Sequence, residues 1–236
     1  MAPARRLLSA LSAVFAVAAA GGARAGGDDL SQDMSLGSPK APVTLIEYAS
    51  PTCPHCARFE AGVFPAFKAK YVDTGKVRYV LREAPIHPDL DAAAFLLARC
   101  AGGSAGYFNV IEGVMKGQDE YYAPYLMQSP NPSQDMADAY RAVLRKVGAA
   151  AGLDEQHVRT CLTNEASLNA LSDRAEREMK QYEVHSTPTF VVNGVKLDPE
   201  HETDLAALDA AIASALGKSG PAQSDSGKPA SHAKRR

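Results

Sequence analysis

Residues 43–56, VTLIEYASPTCPHC, are the stretch that decides the fold, and a helix-like stretch, residues 57–71, follows them. The first seven residues are mostly apolar and predict a buried strand, so Cys53 and Cys56 lie at a turn from strand to helix. A helix N-terminus carries partial positive charge, which stabilises a thiolate. We expect Cys53, before that terminus, to be exposed and Cys56, about one turn later, to be shielded. The spacing predicts a dithiol redox site in which Cys53 is the nucleophile and Cys56 resolves the mixed disulfide.

Two other kinds of site use cysteines at this spacing, and the rest of the sequence argues against both. A zinc site needs about four ligands, usually from a second Cys or His pair, whereas Cys100 and Cys161 are isolated. Covalent haem attachment needs His directly after the second cysteine, and residue 57 is Ala. A purely structural disulfide loop stays open as an alternative. We expect no metal and no prosthetic group, only a redox-active disulfide between Cys53 and Cys56.

Charge is distributed unevenly along the 236 residues, whose net charge is −2. Residues 26–216 contain 17 basic and 26 acidic residues, a net charge of −9. An acidic body argues against nucleic acid as the main partner. The 46% hydrophobic content suits a globular protein of one domain, with or without an insertion.

The N-terminal sequence has the pattern of a secretory signal. Arg5 and Arg6 precede an apolar stretch, residues 7–20, and residues 23–25, Ala-Arg-Ala, fit a cleavage site. We therefore predict a signal peptide over residues 1–25 and a periplasmic location, with an uncleaved membrane anchor as the alternative. Four cysteines in an exported chain suit an oxidising compartment. Residues 26–40 are predicted to form a flexible leader and residues 218–236 a disordered basic tail.

The remaining segments predict an α/β fold. Residues 77–82 alternate in polarity as a strand does, so strand, helix and strand form a parallel crossover unit. No strand signal follows for about a hundred residues. Within that block the candidate helices are residues 89–101, 107–117, 136–147, 154–162 and 165–182, and residues 117–132 are predicted to be a loop. We expect residues 89–182 to be a helical insertion into an α/β domain made of residues 41–88 and 183–217.

The C-terminal part supplies the end of that domain. Residues 189–192 predict a strand, and Asn193-Gly194 is a strong signal for a type I′ hairpin, so an antiparallel partner is expected at residues 195–197. Residues 203–216 show helical periodicity, with Thr203 as the N-cap and Gly217 as the end. In the earlier helix, Pro65 is expected to cause a kink.

Three stretches together resemble a known family. APVTLIEY (residues 41–48), CPHC (residues 53–56) and STPTF (residues 186–190) resemble DsbA-like thiol:disulfide oxidoreductases of the bacterial periplasm. The dipeptide Pro54-His55 is typical of that branch. The resemblance covers roughly residues 35–216. It implies a thioredoxin fold with an inserted helical domain.

The resemblance also implies roles for single residues. Glu47 corresponds to a buried acid beneath the disulfide that exchanges protons with Cys56, and burial is expected to raise its pKa; the alternative is a strand-end Glu that reaches solvent. Pro188 corresponds to a cis-proline whose neighbour, Thr187, pairs its backbone with a substrate strand; the alternative is an ordinary trans proline. His55 is expected to be the main group that stabilises the Cys53 thiolate.

Cys100 and Cys161 fall near the ends of two candidate helices. A disulfide between them would leave no odd cysteine, and two buried free thiols are the alternative. The resemblance does not decide between the two, because a second disulfide is not universal in that family.

These features predict a dithiol oxidase that introduces disulfides into reduced, unfolded secreted proteins. The resemblance implies re-oxidation by a quinone-linked membrane oxidase of the DsbB type. We expect a monomer, because residues 26–42 are too few to form the extra N-terminal domain through which similar isomerases dimerise. The alternatives are a disulfide isomerase or reductase, which Thr187 before Pro188 favours, and a non-catalytic chaperone that binds peptides.

Overall fold

The computed structural model of the chain describes residues 30–198 and 204–218. Its strands are β1 (Met34–Leu36), β2 (Val43–Ala49), β3 (Val77–Glu83), β4 (Thr189–Val192) and β5 (Val195–Lys196). Its helices are α1 (Pro54–Gly62), α2 (Phe64–Phe67), α3 (Pro88–Cys100), α4 (Gly103–Lys116), α5 (Gln118–Leu126), α6 (Pro132–Ala150), α7 (Glu155–Leu162), α8 (Glu165–Gln181) and α9 (Leu205–Lys218). The predicted N-terminal signal peptide lies outside the described residues.

The five strands form one mixed sheet in the order β1-β3-β2-β4-β5. Strand β2 pairs in parallel with β3, and the helical segment between them makes the predicted crossover. Strand β4 pairs antiparallel with β2, and β1 pairs antiparallel with β3. Because β2 lies at the centre, the turn that follows it is anchored on both sides by the sheet.

The two faces of β2 belong to different cores. Leu45 and Ala49 lie in the large core that also contains Cys53 and Cys56, whereas Ile46 and Tyr48 lie in a smaller core on the other face. Side chains alternate along a strand, so Glu47 points to the same face as Leu45 and Ala49. The alternation therefore places this carboxylate under helix α1.

The predicted hairpin is confirmed at β4 and β5. Val192 pairs with Val195, and the two intervening residues, Asn193 and Gly194, have φ values of 45° and 85°. Two consecutive positive φ values are what a type I′ turn requires, and Asn-Gly is the pair that adopts them most readily.

Helices α3–α8 are inserted between β3 and β4. Local signals explain several of their boundaries. Pro88 and Pro132 stand in the first turns of α3 and α6, where a missing N–H has no consequence. Asp154 and Asn164 cap α7 and α8 by accepting hydrogen bonds from backbone N–H groups. The α/β fold with an inserted helical domain agrees with the sequence prediction.

One segment of the insertion was predicted wrongly. Residues 117–132 were expected to form a loop, but helix α5 occupies residues 118–126, with Pro124 inside it. Gln118 and Tyr121 are buried, and both donate hydrogen bonds to the carbonyl of Pro51. Tertiary contacts to the turn after β2 thus outweigh the weak helix propensity of this segment.

The leader also contains a strand that sequence patterns did not predict. Strand β1 is three residues long, too short for alternation to be recognised. Buried arginines of the insertion hold the residues before it, since Arg99 donates to the carbonyl of Gln32, and Arg174 donates to the carbonyls of Leu30 and Gln32. Residues 30–36 are therefore part of the folded domain rather than of a flexible leader.

Two helix boundaries also differ from the predictions. The helix after Cys56 is interrupted at Val63, just before Pro65, and continues as α2 and a π-helical turn, Lys68–Val72. Helix α9 continues through Gly217 to Lys218. The predicted N-cap Thr203 and residues 219–236 of the predicted tail lie outside the described residues. None of the helices in the described ranges combines the length and apolarity that crossing a bilayer requires.

Candidate active site

Cys53 and Cys56 are both free thiols at the start of α1. Cys53 is the N-cap residue, and Pro54 is the first residue of the helix. Cys56, one turn later, is 0% exposed, as the spacing predicts. Cys53 is only 4% exposed, so the expectation of an exposed first cysteine is wrong. The reason is tertiary, because a loop before β4 and side chains of α5 cover the turn.

The covering loop contains Thr187 and Pro188. The peptide bond between them is cis. The Cys53 thiol donates a hydrogen bond to the carbonyl oxygen of Thr187 over 3.3 Å. The hydroxyl of Thr187 is buried and has no hydrogen-bond partner among the described residues. The structure thus brings together the two segments that sequence analysis assigned to the site, which are 134 residues apart in the chain.

The surroundings of Cys53 favour its ionised form and lower its pKa to about 5. The largest cause is a hydrogen bond with the Cys56 thiol, which outweighs the opposing effect of burial. The backbone N–H groups of Cys56 and His55 at the helix N-terminus lower the pKa further. Hydrogen bonds to a thiolate lower a pKa because they stabilise only the charged form.

Cys56 is affected in the opposite direction. Burial is the main cause that raises the pKa of its thiol, and the hydrogen bond to Cys53 and the charge of Glu47 raise it further. Glu47 is 2% exposed, which excludes the alternative of a strand-end Glu that reaches solvent. The hydroxyl of Tyr79 donates a hydrogen bond to this carboxylate. A neutral thiol and a buried carboxyl group therefore lie beneath a thiolate, an arrangement suited to moving a proton.

His55 has a smaller part in this geometry than the sequence predicted. Its side chain is exposed, and its contribution to the lowered pKa of Cys53 comes from its backbone N–H. The main group that stabilises the thiolate is therefore the Cys56 thiol and not His55, as the sequence had led us to expect. Sequence analysis overestimated His55 because a histidine inside the motif can be read from the sequence. A hydrogen bond between the two thiols can be recognised only in the folded structure.

Sequence analysis missed the side chains that hold the turn before Cys53. Two side chains of helix α5 donate hydrogen bonds to this turn. Gln118 donates to the carbonyl of Cys53 over 3.1 Å, and Tyr122 donates to the carbonyl of Thr52 over 2.8 Å. Asp91 of helix α3, a fully buried carboxylate, accepts hydrogen bonds from the backbone N–H and the hydroxyl of Thr52. A buried Asp can be recognised only once its burial is known, so no spacing in the sequence signals this residue.

A groove of about 500 Å³ runs along α1 beside Pro54, between this helix and the junction of α4 and α5. Glu60 lines it, and burial raises the pKa of this carboxyl to about 7. The charge of Glu112 adds to that effect and Lys116 opposes it. The groove gives a protein segment room beside the first residue after Cys53.

The remaining cysteines form a disulfide within the helical insertion. Cys100 ends α3 and Cys161 lies in α7, with their Cα atoms 6.3 Å apart. Of the two alternatives that the sequence left open, the structure has the bonded one. The disulfide joins two helices of the insertion and encloses a loop between residues 61 positions apart.

Replacing both Cys100 and Cys161 with alanine is expected to lower the free energy of unfolding by about 4 kcal/mol, because a cross-link over a loop of this length restricts the unfolded chain. Urea unfolding of the variant and the native protein, each with Cys53 and Cys56 reduced under conditions that spare the second disulfide, measures the difference. Equal midpoints and slopes for the two proteins would contradict this expectation.

Comparison with known proteins agrees with this architecture. The Thioredoxin family model matches residues 29–213. A Rickettsia typhi protein that carries the name protein-disulfide oxidoreductase is 34% identical over 169 residues, which is 71% of this chain and 57% of that protein. The chain spans less than two thirds of the length of the Rickettsia relatives that it matches.

Two solved structures have the same fold. The crystal structure of Wolbachia pipientis alpha-DsbA1 matches with a TM-score of 0.68 and 27% identity over 80% of this chain and 93% of that chain. A protein-disulfide isomerase from Novosphingobium aromaticivorans matches with a TM-score of 0.65 and 26% identity over 80% and 98%. The mixed sheet with helices inserted before β4 is therefore a thioredoxin fold with an inserted helical domain. By its family model, its fold and these similarities, the chain belongs to the thioredoxin family and to its DsbA-like branch.

Proposed function

We propose that this protein is a thiol:disulfide oxidoreductase that acts as a dithiol oxidase on reduced proteins in the periplasm. The observation that supports this most directly is the thiolate-stabilising environment of Cys53, which lowers the pKa of this thiol to about 5. Stabilising the thiolate stabilises the reduced enzyme, and a stable reduced form makes the disulfide form a stronger oxidant.

The proposed reaction begins with the disulfide between Cys53 and Cys56. A substrate thiolate attacks the sulfur of Cys53, a new bond joins substrate and enzyme, and Cys56 leaves as a thiolate that takes up a proton. The position of the Glu47 carboxyl group beneath Cys56 suits it to take up a proton and pass it to that thiolate. A second thiolate of the substrate then attacks the mixed disulfide, and Cys53 leaves as a stable thiolate. The substrate loses two electrons and two protons overall, and the enzyme disulfide is reduced.

Substrate binding is proposed to use the loop of Thr187 and Pro188. A proline lacks the backbone N–H that a sheet ladder needs, so the loop offers only part of a strand edge to a peptide. The groove beside Pro54 gives the same peptide space on the other side of Cys53. Re-oxidation is proposed to pass two electrons to a quinone-linked membrane oxidase of the DsbB type, and the enzyme is proposed to act as a monomer.

A disulfide isomerase is the second candidate, since Thr187 precedes Pro188 and a protein-disulfide isomerase is among the similar structures. The oxidised protein should convert a reduced two-cysteine peptide to its disulfide, with one disulfide formed per enzyme molecule, and should reactivate scrambled ribonuclease poorly. Equal or greater activity on scrambled ribonuclease, together with a stable dimer by mass measurement, would favour the isomerase. A peptide-binding chaperone would instead bind unfolded protein after replacement of both Cys53 and Cys56, and the native protein would not oxidise the peptide.

A further inference from the structure

Asp91 lies in the first turn of α3 and is 0% exposed. Five donors surround its carboxylate. The hydroxyl of Ser50 reaches it over 2.9 Å, the backbone N–H and the hydroxyl of Thr52 over 3.1 and 2.8 Å, and the backbone N–H groups of Ile86 and His87 over 2.9 Å each. Ser50 and Thr52 belong to the turn between β2 and Cys53, so a helix of the insertion holds the turn that carries the nucleophile.

These bonds define which atom donates. An ionised carboxylate can only accept, so the single hydroxyl proton of Thr52 points to Asp91. The Nδ1 atom of His87 lies 2.8 Å from the same hydroxyl oxygen. A hydroxyl that donates to Asp91 can still accept, so this geometry suits donation from Nδ1 of His87 to the Thr52 oxygen. Within the described ranges no lysine or arginine forms an ion pair with Asp91, and hydrogen bonds alone therefore stabilise this buried carboxylate.

The opposite side of the same turn is also held by the insertion. Gln118 donates to the carbonyls of Pro51 and Cys53, and Tyr122 donates to that of Thr52. The turn is therefore fixed by Asp91 through the hydroxyls of Ser50 and Thr52 and the N–H of Thr52, and by α5 through its carbonyls. Cys53 is the next residue, and its thiol meets the carbonyl of Thr187 over 3.3 Å. A shift of Thr52 would move the sulfur of Cys53 relative to the Cys56 thiol and to the N–H groups of the first turn of α1, which stabilise its thiolate.

We propose that Asp91 is a positioning residue for thiol–disulfide exchange, which fixes Ser50 and Thr52 so that the sulfur of Cys53 faces Thr187 and the first turn of α1. This inference rests on the proposed function and extends it, because it assigns to the helical insertion the placement of the nucleophile. Asp91 touches neither the reacting sulfurs nor a substrate, and it acts through Thr52.

The variant Asp91→Asn tests the proposal. An amide has nearly the same shape but accepts at only one atom, so the N–H groups of Ile86 and His87 or the donors of the turn lose their acceptor. Alkylation of the reduced protein as a function of pH gives the midpoint at which Cys53 ionises. We expect that midpoint to rise by about one unit or more, since fewer donors reach the thiolate. Removing a negative charge without moving the turn would lower the midpoint, so the sign separates positioning from a direct charge effect.

The matched control is Glu83→Gln. Glu83 is also a buried carboxylate, bonded by Arg99 and Tyr107, and none of its side-chain hydrogen bonds in the described part of the chain reaches the turn. This control should lose thermal stability and keep the native midpoint of Cys53. Should Asp91→Asn fail to fold, Thr52→Val removes one donor to Asp91 and should shift the midpoint in the same direction by a smaller amount.

Two results would overturn the proposal. A native or lowered midpoint in Asp91→Asn or, where that variant does not fold, a native midpoint in Thr52→Val would show that Asp91 does not position Cys53, and would leave the proposed function intact. A native protein whose Cys53 ionises near the ordinary value of about 8.5 would remove the proposed function and this inference together.

Discussion

Replacement of Cys53 with alanine is expected to abolish peptide oxidation and insulin reduction. At pH 7 a thiol whose pKa is about 5 is ionised in roughly 99 of 100 molecules. Cys56 cannot substitute for it, because burial raises the pKa of its thiol and leaves it without a thiolate at neutral pH. The two cysteines are also placed differently, since the sulfur of Cys53 lies 3.3 Å from the carbonyl oxygen of Thr187 in the covering loop, whereas Cys56 is fully buried beneath it.

The variant Cys56→Ala is the control for this loss. It keeps the nucleophile but lacks the resolving thiol, so it should form mixed disulfides with glutathione or a substrate peptide and release them slowly. Intact-mass measurement detects that adduct, and Cys53→Ala should form none. If Cys53→Ala retained turnover, or if the adduct formed on Cys56, the assigned nucleophile would be wrong.

The parts of this fold that were predicted correctly depend on patterns among residues that are close together in the sequence. The Asn193-Gly194 turn, Cys53 at a strand-to-helix turn and the apolar run of β2 depend on neighbouring residues, and each was found where expected. The position of Glu47 on the side of the sheet under α1 also follows from alternation along one strand.

The parts that it did not predict depend on contacts between distant segments. Helix α5 forms where Gln118 and Tyr121 are held by the turn after β2, although its sequence suggests a loop. Strand β1 is too short to show a pattern, and its pairing with β3 identifies it. The 4% exposure of Cys53 has the same kind of origin, because the segments that cover it come from other parts of the chain.

The site shows this difference most clearly at Asp91. It lies 38 residues after Cys53 in a helix start, where an acidic residue is ordinary, and nothing in its neighbourhood suggests a partner. His55, inside the motif, drew attention instead, although its backbone rather than its side chain contributes to the pKa of Cys53. Motifs identify the reacting atoms, whereas the groups that hold them come from the packing of the insertion.

The oxidising strength of the enzyme, measured against glutathione, is expected to rise with pH between about 5 and 8.5. The folded pKa of Cys53 is about 5, below the ordinary value, so ionisation of this thiol stabilises the reduced protein fully above the ordinary pKa. That contribution is lost as the pH falls through 5. Cys56 stays neutral throughout this pH range because its pKa is raised, so it does not contribute to the pH dependence of the oxidising strength.

The size of the effect follows from one proton. Above pH 5, the Cys53 thiol formed by reduction of the enzyme releases its proton. The two glutathione molecules that react each keep their thiol proton below about pH 8.5. The equilibrium constant for oxidation of glutathione by the enzyme should therefore increase about tenfold per pH unit, which is about 30 mV. Between pH 5 and pH 7 this amounts to about 2.3 kcal/mol, or roughly fiftyfold, because half of the Cys53 thiols are already ionised at pH 5.

Equilibrium titration with glutathione at pH 4 to 8 measures this dependence, with alkylation rates of the reduced protein as an independent reading of the same midpoint. In Cys56→Ala the alkylation midpoint should move upward, because the largest hydrogen bond to the Cys53 thiolate is removed. Below pH 5 the equilibrium constant should become independent of pH. An equilibrium constant that does not change between pH 5 and pH 7 would show that Cys53 is protonated in this range. That result would contradict both the stabilised thiolate and the proposed oxidase activity.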